Sequence, residues 1–369
     1  MTATTQKREP YVIQRKVWPE RYARGWHVLG KADRFTEEPQ TLDYFGTRLA
    51  AYRGKEDGQV HVLDSYCPHM GADLSKGHVE GNSLVCPFHA WSWGSDGVCD
   101  HIPYAKRIPP RAVIKSWPTL ERNGLLLVWN DPEGGEPDLS VAPKIMDDYY
   151  SGEWTDWVMA RFLIKSHCRE LVDNMADMAH FGPVHYSTVR SFRNVQDGHT
   201  FTQYMVGGHE ILTEGEHPMT SVAHYEGPAY MTTTMTGMMD GVPMTTHLLV
   251  SHVPISTEAF HINLGVMMKK NPDFSEEENR AAVEAYTART IESFEQDVEI
   301  WDNKVLIDNP LLCDGDGPIN MVRKWYGQFY ADVADIDPHA VARKEHITMD
   351  GPTVEEVLAA MHADAARTA

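Results

Sequence analysis

Two short pairs of cysteine and histidine are the strongest candidates for chemistry in this chain of 369 residues. Cys67 and His69 form the first pair, and Cys86 and His89 form the second, with sixteen residues between the pairs. Both stand in stretches rich in proline, glycine and aromatic residues, which predicts that they lie on loops. Two thiolates can bind one iron ion while two neutral imidazoles bind another, an arrangement that raises the reduction potential of a [2Fe–2S] cluster. The pattern therefore predicts an electron-storing cluster.

A structural zinc ion is the alternative for the same four residues, because two cysteines and two histidines also suit tetrahedral zinc. Zinc fingers usually separate a cysteine pair from a histidine pair, whereas here each pair is mixed. The mixed order favours the iron–sulfur cluster over a zinc-stabilised binding module.

A second group of possible metal ligands follows in the middle of the chain. Asp177 and His180 are three residues apart, so on a helix they share one face. The Gly-Pro dipeptide at 182–183 should break that helix and let His185 turn back toward His180. Two histidines with one carboxylate form the facial triad of non-haem Fe(II) oxygenases, which leaves positions open for O₂.

The third ligand of such a triad has two candidates, Asp297 and Asp302, on a helix predicted over 275–305. Composition and spacing alone do not choose between them. Glu295 and Glu299 on the same helix are expected to face solvent.

The elements that carry these residues change in character along the chain. About the first 130 residues read as short strands and turns, as in an all-β domain. The run GLLLVWND at 124–131 predicts a buried closing strand, and DPEGGEPD after it predicts a linker. We therefore expect an N-terminal segment at 1–24, an all-β domain at 25–133 and a second domain at 134–369.

The second domain is expected to be α+β, with long helices packed across an antiparallel sheet. Helical spacing of apolar residues covers 166–180, and strand-like alternation covers 200–265. The helix at 275–305 has Ser275 as its predicted N-cap and three glutamates in its first turn. Shorter helices are predicted around 318–331 and from Thr353 onward.

Composition narrows the classes of function. Hydrophobic residues make up 42% of the chain, as in ordinary globular proteins. The formal net charge of −20 argues against nucleic acid or an anionic membrane as a partner. No apolar run approaches the length of a membrane-spanning helix, and the first ten residues do not read as a secretory signal. With two of the five cysteines assigned to the cluster and the others expected as thiols, the cytoplasm is the expected location.

The sequence also resembles a known family over most of the first domain and both ligand segments. The similar blocks are ARGWHVLG, HMGADLSKGHVEG, CPFHAWSWGSDGVCDHIPYAKRIPPRA, LERNGLLLVWNDPEG, SHCRELVDNMADMAHF, FEQDVEIW, IDNPLLCDGDGP and RKWYGQFYADV. They resemble the terminal oxygenase components of 3-ketosteroid 9α-hydroxylases, which are Rieske non-haem iron oxygenases. The resemblance implies a Rieske domain followed by a catalytic domain of helix-grip type.

The resemblance also implies roles for individual residues. The segment FEQDVEIWDNK resembles the family's ligand helix, and this selects Asp297 as the third iron ligand beside His180 and His185. Asn174 and Asp177 become catalytic candidates. The Asp177 carboxylate is expected to accept the ring N–H of His180, to fix its tautomer and to link it to a cluster histidine across a subunit boundary.

Partners and cofactors follow from the same resemblance. It implies a head-to-tail homotrimer, and a reductase that carries flavin and a plant-type [2Fe–2S] cluster and takes electrons from NADH. Electrons would pass through His69 or His89 and then Asp177 to the iron of the neighbouring subunit, where O₂ is the co-substrate.

A hydrophobic polycyclic substrate, a 3-ketosteroid attacked at C9, is the expected target. Family resemblance places Gln203, Phe294 and Trp301 in the pocket, although the stretch 186–265 matches only in fragments. A group of methionines offers a flexible apolar lining, at 231, 235, 238, 239 and 244. An aromatic acid would demand a buried Arg or Lys, and the sequence between 200 and 300 suggests none.

Two alternatives stay open beside this prediction. The same chemistry can serve another substrate, such as another terpenoid, a bile acid or an aromatic ether to be demethylated, or it can produce a desaturation. A protein of a different class, a Rieske electron carrier, would have the cluster and no second iron.

Overall fold

The computed structural model describes residues 9–208, 218–239 and 242–368. Its N-terminal part is all-β, as predicted. Three small antiparallel sheets have the orders β1-β11-β10, β2-β3-β4-β9 and β5-β6-β7-β8. Their strands are β1 Gly25–Lys31, β2 Gln40–Tyr44, β3 Thr47–Arg53, β4 Val60–Asp64, β5 His78–Glu80, β6 Ser83–Val85, β7 Ser92–Trp93, β8 Cys99–His101, β9 Ser116–Trp117, β10 Thr119–Arg122 and β11 Leu125–Asn130.

The predicted strand at 124–131 is present as β11, and every residue of it is buried. It lies between β1 and β10, and its side chains Leu125 and Leu127 pack with Trp157 and Met267 from the second half of the chain. The two halves therefore share one hydrophobic cluster at this point. The predicted boundaries at 24/25 and 133/134 remain predictions.

The C-terminal part is built on an antiparallel sheet of eight strands in the order β12-β18-β17-β16-β15-β14-β13-β19. This confirms the predicted α+β class. The strands are β12 Val158–Ile164, β13 Thr188–Asp197, β14 Thr200–Gly208, β15 Met219–Glu226, β16 Tyr230–Met239, β17 Val242–Pro254, β18 Phe260–Met268 and β19 Lys344–Met349. The helices are α1 Asp147–Tyr150, α2 Arg169–Asp173, α3 Phe181–His185, α4 Glu276–Asn303, α5 Ile319–Gly327, α6 Pro338–Val341 and α7 Val354–Thr368.

The long helix α4 lies across β12 and β18 and begins where the sequence predicts. Ser275 is its N-cap and forms a capping box with Glu278, so that two main-chain N–H groups at the helix start are satisfied. Its buried face, with Val283, Tyr286 and Trp301, packs on the apolar face of the sheet. This packing fixes the depth at which Asp297 stands.

The segment that carries the two iron-ligand candidates differs from its prediction. Instead of one helix over 166–180, the helix α2 ends at Asp173, turns follow, and α3 begins at Phe181. The dipeptide at 182–183 does not break a helix, because Pro183 is the third residue of α3. In the first turn of a helix an N–H group has no intrahelical partner, so proline costs nothing there.

The N-terminal segment lies against residues 307–308, which follow α4. Arg15 forms a β-bridge with Ile307, and the Lys16 ammonium lies 2.6 Å from a carboxylate oxygen of Asp308. In the described part of the chain, no helix is both long enough and apolar enough to cross a lipid bilayer.

Two candidate metal centres

The two Cys–His loops have the same backbone construction. Cys67 follows β4 and Cys86 directly follows β6. In each loop the cysteine N–H donates to the carbonyl five residues on, at 2.9 Å and 2.8 Å, and the cysteine carbonyl accepts from the residue four positions on. That fourth position has a left-handed backbone in both loops, with φ +78° at Gly71 and +55° at Ala90. The two loops therefore share one backbone conformation, and each presents one thiol and one imidazole.

The side chains of these loops fit a cluster with mixed ligands. The rings of His69 and His89 lie 4.6 Å apart, and the Nδ1 atom of each is buried without a hydrogen-bond partner in the described part of the chain. Such orphaned nitrogens are costly unless they bind something. The ring of Trp91 stacks on His69 at 4.6 Å and 13°, which holds that imidazole in place.

The spacing of the four donor atoms argues against a single zinc ion. Among the residues that the structure describes, the set of three or more metal-ligating side chains whose donor atoms all lie within 4.8 Å is His180, His185 and Asp297. The four loop residues do not form such a set. One tetrahedral ion would draw its four donors into a sphere of about 2.0–2.3 Å radius, whereas two irons separate a thiolate pair from an imidazole pair.

The Cys67 thiol carries a proton until a metal displaces it. Cys67 and Cys86 are only 1% and 3% exposed. Burial raises the pKa of the Cys67 thiol, and the neighbouring Cys86 acts in the same direction. Cluster assembly must therefore release the Cys67 proton.

The second candidate centre brings together His180, His185 and Asp297, the three residues that sequence and resemblance selected. His180 is the N-cap of α3, His185 is its last residue, and Asp297 stands on α4. The two imidazole rings are 5.3 Å apart, and His185 Nε2 lies 3.2 Å from Asp297 Oδ2. The three donors converge from two helices, as a facial triad requires.

Each of the three ligand candidates is held by another group. The main-chain carbonyl of Asp177 lies 2.5 Å from His180 Nδ1, so that His180 Nε2 is the nitrogen left for a metal. The amide Oε1 of Gln296 lies 3.1 Å from His185 Nδ1, in place to accept its N–H. Asn174 Nδ2 donates to Asp297 Oδ1 at 3.3 Å. Such contacts orient metal ligands and strengthen their binding.

Gln296 is the functional residue that sequence reasoning missed. Hydrogen bonding in the structure favours the opposite orientation of this amide, in which the nitrogen donates to His185 Nδ1 at 3.1 Å and to the carbonyl oxygens of Val184 at 2.9 Å and Ser293 at 3.3 Å. Metal ligation through His185 Nε2 leaves the ring proton on Nδ1 and so requires the orientation that turns the oxygen to the ring. The available signal was its position directly before Asp297 on α4.

Charge and burial act differently on the two histidines. Burial alone would lower the pKa of His185, but the hydrogen bond and the charge of Asp297 offset this and raise it above its ordinary value. At His180 burial dominates and lowers the pKa, although Asp297 and Asp177 oppose it. A site that keeps His180 neutral favours its role as a metal ligand.

Asp302 and Asp177, the two other acidic candidates, do not take the position that Asp297 has beside His185. Asp302 Oδ1 accepts the main-chain N–H of Lys165 at 2.8 Å, so Asp302 lies outside the group of three. The Asp177 carboxylate does not fix the tautomer of His180 as expected, because it lies 3.8 Å from Nδ1 and the carbonyl of the same residue takes that role. The Asp177 side chain remains 35% exposed.

A cavity of about 870 Å³, including its open mouth, lies beside the three ligand candidates. Its walls are apolar apart from a few hydroxyl and amide groups, and no Lys or Arg stands among the described lining residues. The lining consists of Leu171, Asn174, Met175, His180, Phe181, His185, Gln203, Met205, Met219, Ser221, Ala223, Met231, Thr233, Met235, Leu248, Val250, Thr290, Ser293, Phe294, Asp297 and Trp301.

All three predicted pocket residues line this cavity. Gln203 is buried, and its Nε2 has no partner in the described part of the chain. The rings of Phe294 and Trp301 are in contact at 5.5 Å and form one wall. The amide nitrogen therefore offers its two N–H donors within a largely apolar space.

The predicted methionine lining is only partly present. Met231 and Met235 line the cavity. Met244 packs against the core beneath α4, and Met238 packs against Val206 near α7. The side chain of Met239 lies outside the described residues. Alternation along a strand sends neighbouring side chains to opposite faces, so a run of methionines cannot all face one cavity.

The fold and the two donor sets define a Rieske-type oxygenase, with a cluster domain followed by a mononuclear iron domain. Residues 25–118 match the Rieske [2Fe-2S] domain, and residues 128–330 match the 3-ketosteroid 9alpha-hydroxylase C-terminal domain. The chain is 46% identical over 342 residues to the oxygenase component of a 3-ketosteroid-9-alpha-monooxygenase from Rhodococcus rhodochrous, covering 90% of this chain and 87% of the relative. The chain belongs to this family of 3-ketosteroid 9α-hydroxylase oxygenase components.

More distant relatives extend the comparison. A cholesterol 7-desaturase from Xenopus laevis is 30% identical over 350 residues, covering 85% of this chain and 73% of the relative. The crystal structure of dicamba monooxygenase bound to dicamba aligns with a TM-score of 0.63 at 19% identity, covering 84% of this chain and 97% of that one. At that identity the likeness concerns the fold alone.

Proposed function

We propose that this protein is the terminal oxygenase of a multicomponent monooxygenase that hydroxylates a 3-ketosteroid at C9. The observation that carries the proposal is the direct contact between His180, His185 and Asp297 and a large apolar cavity. An electron carrier needs the cluster loops but has no use for a second donor set beside an apolar cavity.

The residues of the second centre fit a single iron ion. His180 Nε2, His185 Nε2 and the Asp297 carboxylate would hold it, and a metal bound in this way supplies the activation of O₂. Asn174 orients the Asp297 carboxylate by its amide N–H, and Gln296 orients the ring of His185. The apolar walls exclude water and position the target C–H bond.

The cavity suits a rigid polycyclic ketone. Phe294 and Trp301 present flat apolar faces. The Gln203 amide nitrogen, which has no partner among the described residues, is placed to donate to a ketone oxygen. A substrate with a carboxylate would leave its charge without a basic partner, since no described lining residue is Lys or Arg. This favours a neutral steroid over an aromatic acid.

Electron delivery is proposed to cross a boundary between subunits of a homotrimer in the cytoplasm. The Asp177 carbonyl accepts from the His180 ring, and Asp177 Oδ1 accepts the main-chain N–H of His180 at 3.3 Å. The carboxylate is 35% exposed, so it can still accept from a group outside the chain. The proposed group is His69 or His89 of a second copy. The electrons would come from NADH through a reductase with flavin and a plant-type [2Fe–2S] cluster.

The substrate assignment is tested by O₂ uptake with a panel of 3-ketosteroids, a generic reductase and ¹⁸O₂. We expect steroid-dependent uptake and one labelled oxygen atom at C9 of the product. If no steroid couples O₂ uptake to a hydroxylated product, the substrate proposal fails. Iron content distinguishes the oxygenase from an electron carrier: the oxygenase should contain three iron ions per chain, and the carrier only the two of the cluster.

Desaturation is the second candidate, because one relative is named a cholesterol 7-desaturase. The same experiment distinguishes the two, since desaturation yields a product with a new double bond and no ¹⁸O. The route through Asp177 has its own test. Asp177→Asn should retain both metals and lose product formation, whereas Glu299→Gln, an exposed carboxylate on α4, should change neither.

A further inference from the structure

A row of buried aromatic side chains leads away from the floor of the cavity. Tyr225 stands on β15 two residues after Ala223, which lines the cavity, so both side chains share one face of the sheet. Tyr225 also pairs across the strands with Met231, another lining residue. The row therefore begins immediately behind the cavity wall.

Successive rings of the row are in contact up to the surface. Tyr225 lies 6.2 Å from Trp325, and Trp325 lies 6.2 Å from Tyr326. Tyr326 lies 5.5 Å from Tyr330, which lies 4.8 Å from Trp18. Trp18 is partly exposed in the N-terminal segment. These five residues are called the aromatic path below.

Packing alone does not explain why the aromatic path contains tyrosines instead of phenylalanines. The Tyr225 hydroxyl is buried without a hydrogen-bond partner in the described part of the chain. Burial raises the pKa of Tyr326 and of Tyr330 well above the ordinary value. Burying an unpaired hydroxyl costs about 1–3 kcal/mol, so phenylalanine would be more stable at such a position. Phe201 and Phe329 contact the same tryptophan, which shows that phenylalanine fits this core.

A buried imidazole is placed to take a proton from the path. His252 is fully buried, and its Nε2 lies 3.4 Å from the hydroxyl of Tyr326. Burial lowers the pKa of His252 well below its ordinary value, so that the ring is neutral and can accept. An oxidised phenol is a very strong acid, and a neutral imidazole within hydrogen-bond distance suffices to receive its proton.

We propose that the aromatic path conducts single electrons from Trp18 to the metal site when that site is oxidised without a substrate to receive the oxygen. The inference goes beyond the proposed function and rests on it for the source of the oxidant. Electron tunnelling falls exponentially with distance, so rings in contact exchange electrons fast. The path thereby removes an oxidant that would otherwise attack the methionines of the cavity.

Electrons and protons balance along the aromatic path. Each electron that reaches the metal site leaves one vacancy, which moves outward from Tyr225 to Trp18. The phenol proton of Tyr326 moves to His252 Nε2 as the electron leaves and returns when Tyr326 is reduced. The Tyr225 hydroxyl has no acceptor in the described part of the chain, so Tyr225 keeps its proton while the vacancy passes. A soluble thiol reduces Trp18, and two such electrons convert two thiols into one disulfide with release of two protons.

The test treats the iron-loaded full chain with hydrogen peroxide, without substrate or thiol, and freezes it for electron paramagnetic resonance. We expect a tyrosyl radical, identified by ring-deuterated tyrosine, and oxidation of Trp18 in the mass spectrum. In Tyr330→Phe, oxidation of Trp18 should fall severalfold while oxidation of Met231 and Met235 rises. Trp18→Phe, at a partly exposed site, should likewise raise methionine oxidation.

The matched control is Tyr52→Phe, a buried tyrosine of β3 whose hydroxyl donates to the Asn82 carbonyl. It should oxidise like the wild type. Equal oxidation patterns in Tyr330→Phe, Tyr52→Phe and the wild type overturn the inference. Product analysis with 3-ketosteroids separates the two proposals: radicals without steroid hydroxylation refute the substrate assignment alone, and hydroxylation without radicals refutes the aromatic path alone.

Discussion

Replacing Gln296 by leucine should weaken iron binding at the second centre without touching an iron ligand. The amide oxygen lies 3.1 Å from His185 Nδ1, and His185 is only 7% exposed, so water cannot readily take its place. Loss of such a partner costs about 10- to 100-fold in metal affinity. That range corresponds to about 1.4–2.7 kcal/mol. A hydrogen bond to a group made positive by a metal is worth about 1.5–3 kcal/mol, which agrees.

The assay is an anaerobic titration of Fe(II) against a chelator, with cluster absorbance as the internal measure of folded protein. Gln296→Glu should bind iron nearly as the wild type does, because a carboxylate oxygen also accepts the Nδ1 proton. Glu295→Gln, an exposed neighbour on α4, is the matched control and should change nothing. If Gln296→Leu binds iron with wild-type affinity, the positioning role assigned to this amide is wrong.

Three further changes test separate parts of the structure. Asp297→Asn should abolish retention of the mononuclear iron. Asp302→Asn keeps an oxygen that can accept the Lys165 main-chain N–H and should retain the iron; metal analysis of the purified variants decides. Ala90 has a left-handed backbone with φ +55°, which glycine adopts without strain. Ala90→Gly should therefore stabilise the cluster loop by about 1 kcal/mol and raise the temperature at which the cluster is lost. Ala105→Gly, at an exposed site without positive φ, should lower that temperature. Ser275→Ala removes the N-cap of α4 and should cost about 1 kcal/mol in urea unfolding; an unchanged midpoint would show that the capping box adds nothing.

Local patterns made much of the site predictable from sequence. The Cys–His pairs stand at fixed spacing on tight loops, and Ser275 with the three glutamates after it predicts the start of the helix that carries Asp297. The burial of β11 follows from an unbroken apolar run. In each of these cases the determining contacts lie within a few residues along the chain, so the pattern survives without knowledge of the tertiary structure.

The features that escaped prediction depend on backbone geometry or on distant contacts. Pro183 was expected to break a helix, yet in the first turn of α3 it is harmless. The acceptor for the His180 ring is a carbonyl, and every residue has one, so no side-chain pattern points to it. Gln296 meets His185 across 111 positions of sequence. Asp302 and Asp297 are both aspartates on α4, so residue type did not distinguish them. Their positions around the helix do, because Asp302 faces the Lys165 main chain instead of the two histidines.

Asp177 and Gln296 have different roles, so mutations at these positions should separate iron affinity from electron delivery to the iron. The Asp177 carbonyl, not its carboxylate, accepts from the His180 ring, and asparagine keeps an oxygen for the His180 main-chain N–H. Asp177→Asn should therefore leave Fe(II) affinity unchanged while abolishing steroid product. Gln296→Leu should do the reverse at saturating iron: weak binding, but turnover per bound iron close to normal. Since Asp177→Asn leaves iron affinity unchanged, the double variant should bind iron as weakly as Gln296→Leu and form no steroid product. A drop in iron affinity in Asp177→Asn would instead mean that the carboxylate, at 3.8 Å from the ring, supports His180 directly.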